Sequence, residues 1–223
     1  MSAASLAGTL GSLPAPKGLL LDAMGTLIGL RHSVGHTYAA LAGDHGLTVG
    51  AEAIDAVFPR IHQQAPPLAF PGLDGAALEQ AERQWWADRI AAALAAAGLE
   101  EPLPPGLCDA LFDRFGQSDL WQVYGDVAGA LERWHRRGLK LAVVSNFDGR
   151  LIGLLRELGL ADWISVVVVS SAAGAAKPDP APFALALDQL GLSAAEAWHV
   201  GDSPEDERGA QAAGLPCLRI RRP

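Results

Sequence analysis

The chain has 223 residues, half of them hydrophobic and 19% charged, so it can bury a core and is not a disordered protein. Its 17 Lys and Arg against 25 Asp and Glu leave a net charge of −8, a field that excludes a general binder of nucleic acid or anionic membrane. Two cysteines, Cys108 and Cys217, are too few for a disulfide framework or a cysteine zinc site, and no apolar run approaches the ~20 residues of a membrane span.

Residues 1–16 show no periodicity and read as a flexible arm. They lack the basic segment of a secretory signal, so a reducing, cytoplasmic setting is the expectation. Gly18-Leu19-Leu20-Leu21-Asp22 is a short apolar run ending at a carboxylate, which predicts a buried strand feeding a turn. From about 33 to 116 the pattern is helical and Ala-rich. It predicts helices over 33–46, 51–64, 74–98 and 105–115, with Asp74 as an N-cap and Gly98 just past a C-terminus. Pro66-Pro67 and Phe70-Pro71-Gly72 break the series, and no strand is expected inside it.

Beyond Asp126, helix and strand alternate. Helices are predicted over 126–138, 150–159, 180–190 and 204–213, and strands over 139–146, 166–169, 197–200 and 217–220. Asp179 is the expected cap of the third of these helices. Near-continuous apolar strands alternating with helices predict an α/β fold: a Rossmann-like parallel sheet covered on both faces. The first strand must join that sheet, because one strand alone is not stable. The helical block is then an insertion, and the expected division is a core of 17–31 and 118–223 with an all-helical cap of 32–117.

Ligands bind beyond the carboxyl ends of parallel strands. Asp22, Ser145-Asn146, Lys177-Pro178 and Gly201-Asp202 with Asp206 all stand there, so carboxylates, a hydroxyl and an ammonium converge on one rim. These segments resemble, in order, the four motifs of the haloacid dehalogenase-like (HAD) hydrolase superfamily. The first is Asp22-Ala23-Met24-Gly25-Thr26-Leu27, the second Val144-Ser145-Asn146, the third Lys177-Pro178, and the fourth Gly201-Asp202 with Asp206. The helical insertion resembles that family's C1-type cap. Arg83-Gln84-Trp85-Trp86, Trp121-Gln122-Val123 and Ser145-Asn146-Phe147-Asp148 look most like its REG-2-like branch.

The resemblance implies a site. Asp22 is the nucleophile, forming an aspartyl-phosphate. Ser145, the backbone N–H of Asn146, and Lys177 bind the phosphoryl oxygens, with Ser145 and Lys177 also acting in catalysis. Mg²⁺ is the implied cofactor, held by Asp22, Asp202, the backbone carbonyl of Met24 and, through water, Asp206. Glu205 reads as an ordinary acid in a helix's first turn. Thr26 reads as a turn residue that could orient Asp22. The implied activity is a phosphohydrolase on a small phosphorylated metabolite, working as a monomer or weak homodimer without nucleic acid or membrane.

One position departs from the family. Its phosphatases carry a second Asp two residues after the nucleophile, as general acid and base, and here Met24 stands in its place. The family's dehalogenases lack that second Asp too, but their fourth motif also lacks the carboxylate that Asp202 keeps here. Dehalogenation is therefore the alternative, and a catalytically weak binding or scaffold protein the third reading. No counterpart of the dehalogenases' cap arginine stands out, although Arg31 and Arg60 are present. His32 and His36 read as surface imidazoles, His45, His62 and His135 as helix-surface residues, and His199 as a strand residue. Trp85 and Trp86 read as cap core, and Arg222 as solvated.

Overall fold

The computed structural model describes residues 15–222, so the expected arm over 1–16 lies outside it except at its last two positions. Five parallel strands form the core sheet: β1 (Gly18–Leu21), β4 (Lys140–Ser145), β5 (Val166–Val169), β6 (Ala197–Gly201) and β7 (Cys217–Arg219). Their order is β5-β4-β1-β6-β7, with β1 in the middle. The two-residue period of a strand divides its side chains between the faces. Leu19 and Leu21 of β1, with Leu141 and Val143 of β4, enter one apolar cluster, whereas Leu20, Ala142 and Val144 enter the other.

Helices seal both clusters. On the first face, α5 (Val127–Arg136) contributes Val127 and Leu131, and α6 (Arg150–Glu157) contributes Leu151, Leu154 and Leu155. On the second, beyond the one-turn α7 (Ser170–Ala173), α8 (Ala181–Leu190) contributes Phe183, Ala186, Leu187 and Leu190, and α9 (Pro204–Ala212) contributes Ala210. Each fully buried Leu or Phe stabilises the fold by about 1.5–3 kcal/mol. Helix α8 begins at Ala181, whose N–H donates to Asp179 Oδ1 at 2.8 Å, so Asp179 turns the chain into the helix from just outside it. All five strands run the same way, so their carboxyl ends, at Asp22, Ser145 and Gly201 among others, share one rim.

Between β1 and β4 the chain builds α1 (Val34–Asp44), α2 (Ala51–Gln63), α3 (Gly75–Ala96) and α4 (Leu107–Arg114). They close over their own core of Tyr38, Ile54, Ile90, Leu94, Leu107 and Leu111. Asp74 has an extended backbone before α3 but makes no side-chain capping bond, contrary to the expectation for it. The chain enters this block through β2 (Ile28–Leu30) and leaves through β3 (Trp121–Val123). The two pair antiparallel, with Leu30 opposite Trp121, in a ribbon the sequence pattern did not predict. Three-residue strands are too short to display an alternation.

Polar contacts fasten the helical block to the sheet. Asp148, fully buried in the loop after β4, accepts Trp86 Nε1 of α3 at 2.7 Å and a bidentate Arg150 guanidinium at 2.6 and 2.8 Å. Arg150 stacks 3.7 Å over the Phe112 ring and donates to the Phe112 carbonyl of α4. Glu82 of α3, also buried, accepts the Gly149 N–H at 3.1 Å. Ser170 Oγ donates to the Leu68 carbonyl at 2.7 Å.

Candidate active site

The rim assembles around Asp22. Immediately after it, Ala23 accepts the N–H groups of Thr26, Leu27 and Ile28 in a tight turn. Gly25 completes that turn at φ +81°, where an L side chain is strained, and a Cβ there would overlap Asp202 Oδ2. The turn therefore requires glycine for conformation and for space. Among the described residues the Thr26 hydroxyl has no hydrogen-bond partner, and it makes no contact that would orient Asp22. Instead, the Thr26 carbonyl accepts Arg222 at 2.6 and 3.0 Å, and Arg222 stacks 4.5 Å over Tyr124. Arg222 is thus a clamp on the turn and not a solvated tail residue.

Asp22 Oδ1 accepts Lys177 Nζ at 2.6 Å and Ser145 Oγ at 3.2 Å. Its Oδ2 has no hydrogen-bond partner among the described residues. Lys177 spends its three ammonium protons on Asp22 Oδ1, Asp206 Oδ1 at 2.6 Å and the Val144 carbonyl at 3.0 Å. Burial alone would lower the Lys177 pKa, but Asp22 and Asp206 overcome it and hold the ammonium above its ordinary value. The Asn146 side chain braces the Lys177 backbone, donating to its carbonyl at 2.9 Å and accepting its N–H at 2.7 Å.

Asp206 is completely buried and saturated. Its Oδ1 accepts Lys177 and His199 Nε2, the latter at 2.9 Å, and its Oδ2 accepts Ser203 N and Oγ at 3.1 and 2.7 Å. Ser203 in turn caps α9 through the Asp206 N–H, a capping box. Burial opposes ionisation of Asp206, yet the His199 hydrogen bond and the Lys177 charge prevail and hold its pKa far below the usual carboxylate range. Sequence reasoning took His199 for a plain strand residue. The available signal was an imidazole within the apolar run of β6, seven residues before Asp206.

Asp202 stands apart, partly open and with no hydrogen bond from another described side chain. Burial, and then the nearby Asp22 and Asp206 charges, raise its pKa. Carboxylate oxygens of Asp22, Asp202 and Asp206 lie within 4.8 Å of one another. Such repulsion calls for a cation, and a set of oxygens alone suits a hard one such as Mg²⁺.

These residues floor a cavity of about 690 Å³. The helical block supplies the opposing wall, including Pro59, His62, Pro66, Pro67 and Trp85, and Met24, Tyr124, Asn146 and Glu205 also line it. His62 is therefore a cavity residue, stacked 5.8 Å from Phe58 and 5.9 Å from Trp86. Burial and the Arg89 charge lower its pKa. Arg31, His32, His36 and Arg60 do not line the cavity, whereas Met24 does, 46% exposed. Trp85 is buried as expected, and its Nε1 donates to the Pro66 carbonyl at 3.0 Å.

Comparison with known proteins points the same way. A family profile described as haloacid dehalogenase-like hydrolase matches residues 16–214. The chain is 36% identical over 207 residues to "Haloacid dehalogenase-like hydrolase domain-containing protein 3" of Bos taurus, covering 92% of this chain and 82% of that protein. It is 38% identical over 100 residues to a phosphoglycolate phosphatase of Yersinia pseudotuberculosis, covering 44% of this chain and 43% of that enzyme. Among solved structures, a dehalogenase superposes with a TM-score of 0.65 at 25% identity, covering 94% of this chain and 85% of that one.

Proposed function

Because the chain belongs to the haloacid dehalogenase-like hydrolases, we propose that it is a Mg²⁺-dependent phosphohydrolase of small phosphorylated metabolites, with Asp22 as nucleophile. One observation carries the reading: Asp22 has one oxygen fixed by Lys177 and Ser145 and the other free, beside the Asp202 carboxylate. Asp22 Oδ2 forms the bond to phosphorus as the ester P–O bond breaks, and water then cleaves the aspartyl-phosphate. Ser145 Oγ and the Asn146 N–H hold the phosphoryl oxygens, and Lys177 balances the charge gathered there. Asp22, Asp202 and the Met24 carbonyl would hold the cation. Asp206, with both oxygens already engaged by protein donors, would reach it through water. The cation would neutralise charge on the transferring phosphoryl group when bound.

The helical block, 32–117, is in this reading the cap of a core formed by 17–31 and 118–223. It closes the cavity and excludes water from the reacting phosphorus. A phosphate-release screen with and without Mg²⁺, on wild type and Asp22→Asn, tests the proposal. Turnover that needs both Mg²⁺ and Asp22 supports it, and its absence on all esters and acyl phosphates sinks it. The likeness to a solved dehalogenase, together with Met24, favours one second reading, hydrolysis of a 2-haloacid. Chloride release from 2-chloropropionate without metal would support that reading.

A further inference from the structure

The cavity above Asp22 has two chemically different parts. Its floor is the charged rim. Its remaining wall includes Met24, Pro59, Pro66, Leu68, Trp85 and Tyr124, an apolar and aromatic surface. An exposed methionine at a reacting carboxylate is an adaptable apolar contact. Among the described residues that line the cavity, Lys177 is the only lysine or arginine. All three of its protons are committed to Asp22, Asp206 and Val144. Burial and the Arg89 charge disfavour the protonated form of His62. Glu205 adds a further carboxyl group to the lining. A carboxylate or second phosphate on a substrate would therefore meet no uncommitted lysine or arginine among the described lining residues, and burying a charge without an ionic partner is costly.

Proton supply favours the same kind of leaving group. As Asp22 Oδ2 bonds to phosphorus, the departing oxygen takes the electron pair of the broken P–O bond. Met24 has no proton to give it, and without a donor at that position the oxygen leaves as an anion and is protonated later by water. A phenolic oxygen, with a pKa of about 10, tolerates this far better than an alkoxide. Resting on the phosphohydrolase reading, we propose that the substrate is a phosphate monoester with an uncharged, apolar or aromatic leaving group. Esters bearing a second anionic group are excluded.

The test pairs binding with turnover. Calorimetry on the Mg²⁺-loaded protein compares phenylphosphonate with phosphonoacetate, and kinetics compares phenyl phosphate with phosphoglycolate. The aryl compound is expected to win by about 10- to 100-fold in both measurements. In Gln63→Arg, which adds a cation to the cavity wall, that preference is expected to shrink through a gain for the carboxylated compounds. Equal or tighter binding of phosphonoacetate overturns the proposal, as does a preference that Gln63→Arg leaves unmoved. If the phosphonates discriminate as stated and no ester is hydrolysed, the binding preference stands and the phosphohydrolase reading fails. If neither phosphonate binds, both fall.

Discussion

Two buried networks of carboxylates and cations hold this molecule, and they differ in what they leave unspent. At the seam between sheet and helical block, Asp148 is matched to Arg150 and Trp86, and Glu82 takes the Gly149 N–H. The planar guanidinium meets its carboxylate bidentately and stacks on Phe112, the geometry of a structural clamp. At the rim, Lys177 and Asp206 are just as fully engaged, but Asp22 Oδ2 and the Asp202 carboxylate are left over. The same residue types thus make a fastening in one place and a candidate reactive site in the other. What separates them is incompleteness: saturation fixes Lys177 and Asp206, and the surplus carboxylate oxygens are the ones available for chemistry.

Substitutions can break this contrast, and the largest effect belongs at the unspent oxygen. Asp22→Asn should lower turnover by at least about 10³-fold in a phosphate-release assay. Next come saturated members of each network. Arg150→Met strands the buried Asp148 charge and should cost about 3–5 kcal/mol in urea unfolding. Asp206→Ala takes away one of the two carboxylates paired with Lys177 and the partner of His199, so it should cost about 1–3 kcal/mol in the same assay. Asp202→Asn is the control at the rim. It relieves repulsion, so stability should hold or rise while the Mg²⁺ concentration needed for activity climbs. A result in which Asp202→Asn destabilises as much as Asp206→Ala would erase the distinction.

Smaller effects sharpen the seam. Trp86→Phe keeps most of the packing but removes one hydrogen bond to Asp148, for about 1 kcal/mol. Burial, and then the Asp148 charge, raise the Glu82 pKa against the help of the Gly149 N–H. A carboxyl whose folded pKa exceeds its unfolded pKa destabilises the fold when ionised. Stability should therefore fall as pH rises through that elevated pKa and recover on mild acidification. In Glu82→Gln this part of the melting-temperature profile should flatten, which a thermal scan across pH 4.5–7.5 checks, within roughly three units of the ordinary carboxylate value.

Much of this was legible in the sequence. Apolar runs and turn residues marked the strands of the parallel sheet, because strands buried on both faces carry few polar positions to blur the pattern. The rim was legible because Asp22 and Asp202 directly follow strands and Ser145 ends one, whereas Lys177, eight residues past its strand, was found through the motif resemblance. Other features were not. The β2–β3 ribbon is too short for periodicity. His199 and His62 take their surroundings from elements distant in the chain, and the same holds for the pairing of Arg222 with the carbonyl of Thr26. The Trp86–Asp148 bond joins residues 62 positions apart, which no local pattern encodes.

The ribbon itself bears on how such a chain came to be built. Leu30 and Trp121 face each other across a ladder, so the roughly 90 residues between them leave and re-enter the core at adjacent points. Seen from the sheet, that whole excursion occupies the place of a hairpin turn. Its closure entropy grows only with the logarithm of its length. The host fold is therefore almost indifferent to how long the excursion is, so that, provided the seam residues are kept, the wall of the cavity can be rewritten without disturbing its floor.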